Sequence, residues 1–427
     1  MNVKTLLSVL ALSLLANPVH AQVQPAQSVP GAVQEPSANP IVEKYLISGK
    51  LDEGERVLED KLRLDQGNDD IRFQLAILRF FQSIEHFGQT MYEYSPNSNL
   101  GMGLIPFLRF PVPPNDEPKA VELADIRRIF DTLISDLDRT YATLNKIKSE
   151  DLSVPINLFL IHLDFDRDGK VSEEEDMHDV LLFYFGRRNR GRDLDLSSVE
   201  FKFDRADAEW LKGYCCLLRA ISEVFLAYDQ TPIWESVGHR LFDRGIVKHD
   251  FLREEADQSD RWSTNYIMDF IAALHNSRLK LESPARMKTA HQHLLKTIEH
   301  SRDMWRRINA ETDNDGEWVP SPKQSSPFLN ARITAPMNET WQEFLNESEM
   351  LLKGEKLIPF WRGNNPKRGV NLHKFFHKPG DLDVINMVQG AGAVPYLEMG
   401  ECTKPETWRQ FQRTFRGDFF GFAVWIN

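Results

Sequence analysis

The sequence predicts a mainly α protein: a helical bundle-like domain with an N-terminal helical hairpin, one helix–loop–helix unit and a small mixed α/β C-terminal region. Three observations carry this. In Lys119–Lys148 the apolar residues Ile126, Phe130, Leu133, Leu137, Tyr141 and Leu144 recur at intervals of three and four, the spacing of one helix face. Further helical stretches are predicted at Val154–Leu163, Glu173–Phe185, Asp204–Tyr228, Thr264–His275, Pro284–Asn309 and Thr340–Lys353. Strand patterns are few: Val199–Phe203 alternates apolar and polar residues, and Phe419–Ile426 is an aromatic, β-branched run.

In chain order, Lys4 and the apolar stretch Thr5–Ala16, closed by Asn17-Pro18 and the small-residue site ending at Ala21, predict a secretory signal peptide over residues 1–21. The stretch is too short to cross about 30 Å of hydrocarbon as a helix. A secreted or periplasmic protein is the expectation. Residues 22–40, rich in Pro, Gln, Ser and Ala, predict a flexible linker. Residues 41–94 then predict a helical hairpin. Gly49, Gly54, Leu58, Leu62, Leu64 and Asp65 stand where a turn glycine, a small packing residue and helix-end residues belong, and the segment resembles a tetratricopeptide-like hairpin over about one and a half repeats. The resemblance implies a helical pair able to engage a protein partner; a repeat array needs about three units or more. Ser95–Pro118, with six prolines, predicts an irregular connection. Residues 119–361 form the main helical domain, and 362–427, rich in Gly and aromatics, the mixed C-terminal region.

The bulk composition narrows the partners. The formal net charge is −12, so phosphate backbones are repelled and nucleic acid is not an expected partner. No segment after the signal reaches 18 uninterrupted apolar residues, and no membrane span is expected. Three cysteines exclude a disulfide scaffold. Cys215, Cys216 and Cys402 read either as three small buried side chains or as one bridge from Cys402 to Cys215 or Cys216.

One motif carries chemistry. Asp164, Asp166 and Asp168 alternate, Gly169 allows a sharp turn, and Glu175 closes a stretch of twelve residues. A calcium ion takes six to eight oxygens at about 2.3–2.6 Å, and carboxylates at alternate positions converge only if the chain curls around the ion. The stretch Asp164–Glu175 resembles an EF-hand loop, within a unit at 154–185. That resemblance implies Ca2+ as the bound ion, with Asp164, Asp166, Asp168, the Lys170 carbonyl, Ser172 and Glu175 as ligands. Ile156, Phe159, Leu160 and Leu163 suit an entering helix. The stripe after the loop, Met177, Val180, Leu181 and Tyr184, is shifted by one residue from the usual exit pattern. The same residues also read as a turn at Asp168-Gly169 followed by a Ser172–Glu175 capping box.

Other constellations are weaker. Glu311-Thr312-Asp313-Asn314-Asp315-Gly316-Glu317 repeats the alternating acids, but Pro322 stands where a closing acid belongs, so it reads as a capped turn after the Pro284–Asn309 helix. Asp204 and Asp207 read as a helix N-cap and its first-turn acid. His291 and His293 diverge by about 200° on a helix and, with His300, read as surface residues. His373 and His377 share a face at i, i+4 without an acid to complete a ligand set. No G-x-S-x-G, H-E-x-x-H or C-x-x-C motif occurs. The function expected is an exported calcium-binding protein of structural or interaction role. The alternative is a secreted enzyme with calcium as a structural ion and its site among Trp361–Gly400.

Overall fold

Several helix starts in this chain are set by side chains that satisfy the first free backbone amides, and others by a proline in the first turn, and the helices follow the apolar spacing of the sequence. The computed structural model describes residues 40–96, 112–172, 175–177, 199–256, 264–327, 333–415, 419, 422 and 423. The expected signal peptide, the linker up to residue 39 and the exit helix beyond Met177 lie outside the described residues. Among those described, thirteen α-helices and seven short strands make the fold mainly α, with a small mixed region near the C-terminus.

Helices α1 (Ile41–Ile47), α2 (Leu51–Leu64) and α3 (Asp69–Tyr94) occupy the segment read as a hairpin. Gly49 takes a left-handed φ of 64° between α1 and α2. A Cβ on Gly54 would lie 2.6 Å from Leu78 Cδ1, so the close approach of α2 to α3 needs glycine. Leu58 is buried, whereas Leu64, in the same apolar series, is 89% exposed at the last residue of α2, beyond the edge of the core. Asn68 caps α3 by accepting from the Ile71 amide at 3.0 Å. From α3, Arg79 donates to Glu55 Oε1 on α2 and to Thr143 Oγ1 on α4 (Leu123–Leu144), each at 2.7 Å.

Val154–Leu163, predicted as a helix, is not one. Val154–Ile156 forms β1, and Leu158–Leu160 is a single 3-10 turn. β1 runs antiparallel to β2 (Phe201–Phe203), with Val154 opposite Phe203. The helical spacing misleads because Ile156, Leu158, Phe159, Ile161 and Leu163 are all buried, so no face is left for solvent. The Asn157 side chain also accepts from the Phe159 amide at 2.9 Å, a local bond that competes with helix formation.

Helix α5 (Arg205–Leu226) opens as predicted. Asp204 Oδ1 accepts from the Ala206 and Asp207 amides, and Asp207 Oδ2 accepts from the Asp204 amide. After α6 (Thr231–Leu241), α7 (Phe251–Ala256) and α8 (Thr264–His275), the long α9 (Pro284–Ile308) returns along α5. Met287, Ala290, Met304 and Trp305 of α9 are sealed from solvent in this seam, as are Ala208, Cys215 and Cys216 of α5. The three cysteines are unbridged. His291, His293 and His300, read as surface residues, are instead buried, because α9 is covered by α5 on one side and by α10 (Ala335–Lys353) and α11 (Leu372–His377) on others. His291 Nε2 donates to the Leu352 carbonyl at 2.8 Å. Burial, then the Arg219 and Lys296 charges, push His293 down to about 4.

The C-terminal region is mixed. β3 (Arg278–Leu279) pairs with β6 (Leu382–Asp383), and β4 (Ile358–Pro359), β5 (Arg368–Val370) and β7 (Leu397–Met399) form an antiparallel sheet in that order. α12 (Val384–Gln389) and α13 (Pro405–Thr414) complete it. Of the terminal run predicted as strand, Phe419, Phe422 and Ala423 are described; they are helical, and the two phenylalanines pack on Trp341. No helix among the described residues is long and apolar enough to cross a membrane.

Candidate metal centre

The loop after β1 curls because two of its residues take left-handed backbone conformations, Arg167 at φ 64° and Gly169 at φ 71°. Gly169 does so freely, while Arg167 carries a cost that its neighbours must offset. Side-chain-to-amide bonds hold the curl. Asp166 Oδ1 accepts from the Asp168 amide at 2.9 Å, Asp168 Oδ1 from the Lys170 amide at 2.7 Å, and Asp164 Oδ2 from the Gly169 amide at 3.2 Å. The result brings carboxylate oxygens of Asp164, Asp166 and Asp168 within 4.8 Å of one another.

Glu175 does not join them. It is 1% exposed, and its Oε1 accepts from the amides of Phe165 at 2.8 Å and Asp166 at 3.2 Å, while Ser172 Oγ donates to Oε2 at 2.7 Å. Glu175 therefore braces the incoming side of the loop, and Ser172 braces Glu175. The capping box of the alternative reading is not formed, since the Ser172 hydroxyl donates to Glu175 instead of accepting from its amide. The Lys170 ammonium pairs with Asp168 Oδ2 at 2.7 Å. Val171 is 50% exposed.

In place of an entering helix, the loop leans on α3. Glu85 Oε2 accepts from the Asp164 amide at 2.9 Å, Gln89 Nε2 donates to the Asp164 carbonyl at 2.8 Å, and Arg167 Nε donates to Gln89 Oε1 at 3.1 Å. His162, just before the loop, donates its amide to the Leu46 carbonyl of α1 at 3.0 Å. Glu85 and Gln89 support the loop, and sequence reasoning missed them because they lie far from it in the chain.

The electrostatics follow from crowding. Burial, and after it the neighbouring Asp164 charge, push Glu85 up to about 7 despite its amide partner. Burial and the charges of Asp166 and Asp168 raise Asp164, whereas the Lys170 side chain lowers Asp168. One oxygen, Asp164 Oδ1, is shielded from solvent and has no hydrogen-bond partner. A buried polar atom without a partner is costly. A hard cation satisfies it, and an all-oxygen donor set suits Ca2+.

Trp361–Gly400, the stretch proposed for an enzyme site, borders a shallow concavity lined by Pro366, Lys367, Met399, Gly400, Glu401 and Cys402. Within that lining, burial pushes the Cys402 thiol up, away from the reactive thiolate. His373 and His377 do share a face, their rings stacked 4.0 Å apart, and His291 packs edge-on against both. No family model matches the chain, and no curated protein and no solved structure is detectably similar to it.

Proposed function

We propose that the protein is an exported calcium-binding protein of structural or interaction role, holding one Ca2+ in the loop Asp164–Glu175. The observation that carries the reading is the convergence of the Asp164, Asp166 and Asp168 carboxylates around a shielded, unpartnered Asp164 oxygen. The ligands are these three, the Lys170 carbonyl and Ser172, with Glu175 turning inward from its amide partners to close the shell. The ion's task is mechanical. The loop joins the β1 segment to α1 and α3, so a cation there stiffens the junction between the N-terminal helices and the main body. Those helices then present a fixed surface to a protein partner.

An ion that binds only the folded state stabilises it by about 2.7 kcal/mol at a hundredfold excess over Kd. In a chain of this size chelation is expected to lower the melting temperature by only a few degrees. Asp164→Ala is expected to remove that response. Differential scanning calorimetry with calcium and with chelator checks both. A melting curve indifferent to calcium, with Asp164→Ala still destabilising, means the loop is only a braced turn. For export, N-terminal sequencing of the mature protein is expected to begin at Gln22; a mature chain retaining Met1 refutes it.

A further inference from the structure

We propose that the outward face of α8 is the contact surface of a homodimer, docked two-fold against the same helix of a second copy of this chain. The helix is built inside out. At about 100° per residue, Phe270, Leu274, Ile267, Ile271 and Met268 share one arc of about 160°, and Asp269, Ala272 and Ala273 lie on the opposite side. A surface helix normally turns its apolar arc to the core. Here no residue of α8 is buried, and the five large apolar side chains are 41–56% exposed.

A polar seam fixes this orientation. Asp269 is the only Asp, Glu, Lys or Arg of α8, and it turns onto α6. Arg240 Nε donates to Asp269 Oδ2 at 2.8 Å, and His239 Nε2 meets the same oxygen at 3.1 Å. Just past the end of α8, Asn276 Nδ2 donates to Ser236 Oγ of α6 at 2.9 Å. His239 and Arg240 are buried. Rolling α8 to bring its apolar arc inward would take the carboxylate away from both, a costly exchange in a buried seam. The apolar arc is therefore held facing outward.

Size and charge select the occupant. With about 200 Å² for one large apolar or aromatic side chain, the five leave on the order of 470 Å² open. Interfaces are about 57% apolar by area, so this patch implies one of about 800 Å² per partner, the standard size for two chains that associate stably. The arc carries no charge to pair with an acidic or basic segment. Two such arcs meet without opposing like charges, even though each chain carries −12 overall. Helices that lie in lipid headgroups carry Lys and Arg beside the apolar face, and α8 has neither. Ile271 is near the centre of the arc, so a two-fold axis there sets the same residues on both sides.

Sedimentation velocity on the full chain, from about 1 to about 100 μM, reads the assembly. The unaltered chain is expected to dimerise over this range, and Ile271→Glu to weaken the dimer at least about tenfold, because two glutamates then face each other across the axis. Ile271→Lys is expected to do the same, and an equal mixture of the two variants to dimerise again. Leu64→Glu, at an exposed position on α2, is the control and is expected to leave the dimer unchanged. Should Ile271→Glu alter the far-ultraviolet circular dichroism, Met268→Glu, at the most open position of the five, takes its place. An unaltered chain that stays monomeric, a dimer that survives the glutamate, or a mixture of the two variants that stays monomeric overturns the proposal. So does a monomer that floats with phosphatidylcholine vesicles and loses them on Ile271→Glu, since the face then belongs to lipid.

Discussion

Replacing Glu209 by Gln is expected to cost about 3–5 kcal/mol of stability at neutral pH, the range for removing one partner of a buried ion pair. Glu209 lies on α5 and is 2% exposed. Its Oε1 pairs with Lys212 Nζ at 2.9 Å and with Arg205, and its Oε2 meets His300 Nδ1 at 2.7 Å. Lys212 and Arg205 are themselves buried, so the substitution keeps the volume and leaves two cations without their anion. Burial alone would raise the Glu209 carboxyl, yet the His300 hydrogen bond and the Lys212 and Arg205 charges outweigh it and hold the group at about 2.

The sign of the pH dependence follows. A carboxyl depressed from 4.5 to about 2 on folding contributes stability that is complete above pH 4.5 and lost as pH falls toward 2. That shift corresponds to about 3 kcal/mol. Denaturant unfolding of both proteins from pH 7 to pH 2.5 should show the gap closing on the acid side. A gap that stays constant across that range rejects the electrostatic account.

Trp305→Ala is expected to be of similar size, about 3–5 kcal/mol, because it opens a cavity in the α5–α9 seam that rigid helices cannot fill. Trp305 is fully buried. Its indole Nε1 is also shielded and without a hydrogen-bond partner. Trp305→Phe is therefore expected to cost much less than Trp305→Ala, since it removes an unsatisfied donor along with part of the ring. Leu64→Ala, at an 89% exposed position, serves as the control and should stay within about 0.5 kcal/mol. Midpoints of urea unfolding at unchanged slope measure all three. If Trp305→Phe costs as much as Trp305→Ala, the orphaned donor is not the relevant difference.

The long helices were legible because each keeps one face in the core over several turns. The sequence's range Pro284–Asn309 matches α9 to within one residue, and Asp204 and Asp207 cap α5 as their spacing implies. The convergence of Asp164, Asp166 and Asp168 was legible for a different reason: all three lie within five residues. What joins them to the rest was not. Glu85 and Gln89 are distant in sequence, and nothing local marks them as supports for a loop. β1 was hidden because its surroundings are apolar on every side. Of the acids after α9, Glu311 meets Asp204, which comes from the cap of another helix and is distant in sequence. His291 was misplaced because two-sided burial of α9 depends on α10 and α11, neither of which is local.

The pairing of α5 with α9 has a consequence for how the chain is made. α5 ends at Leu226, and the helix that covers it begins only at Pro284. While the polypeptide emerges from its N-terminus, α4 is already there to pack on α5, but the flank that α9 covers stays open until that later segment arrives. Loop closure must therefore come before the contacts that reward it, which slows folding and leaves a sticky surface open in the interval. For a nascent chain the helices before α9 can pack on one another, and the arrival of α9 is what closes α5.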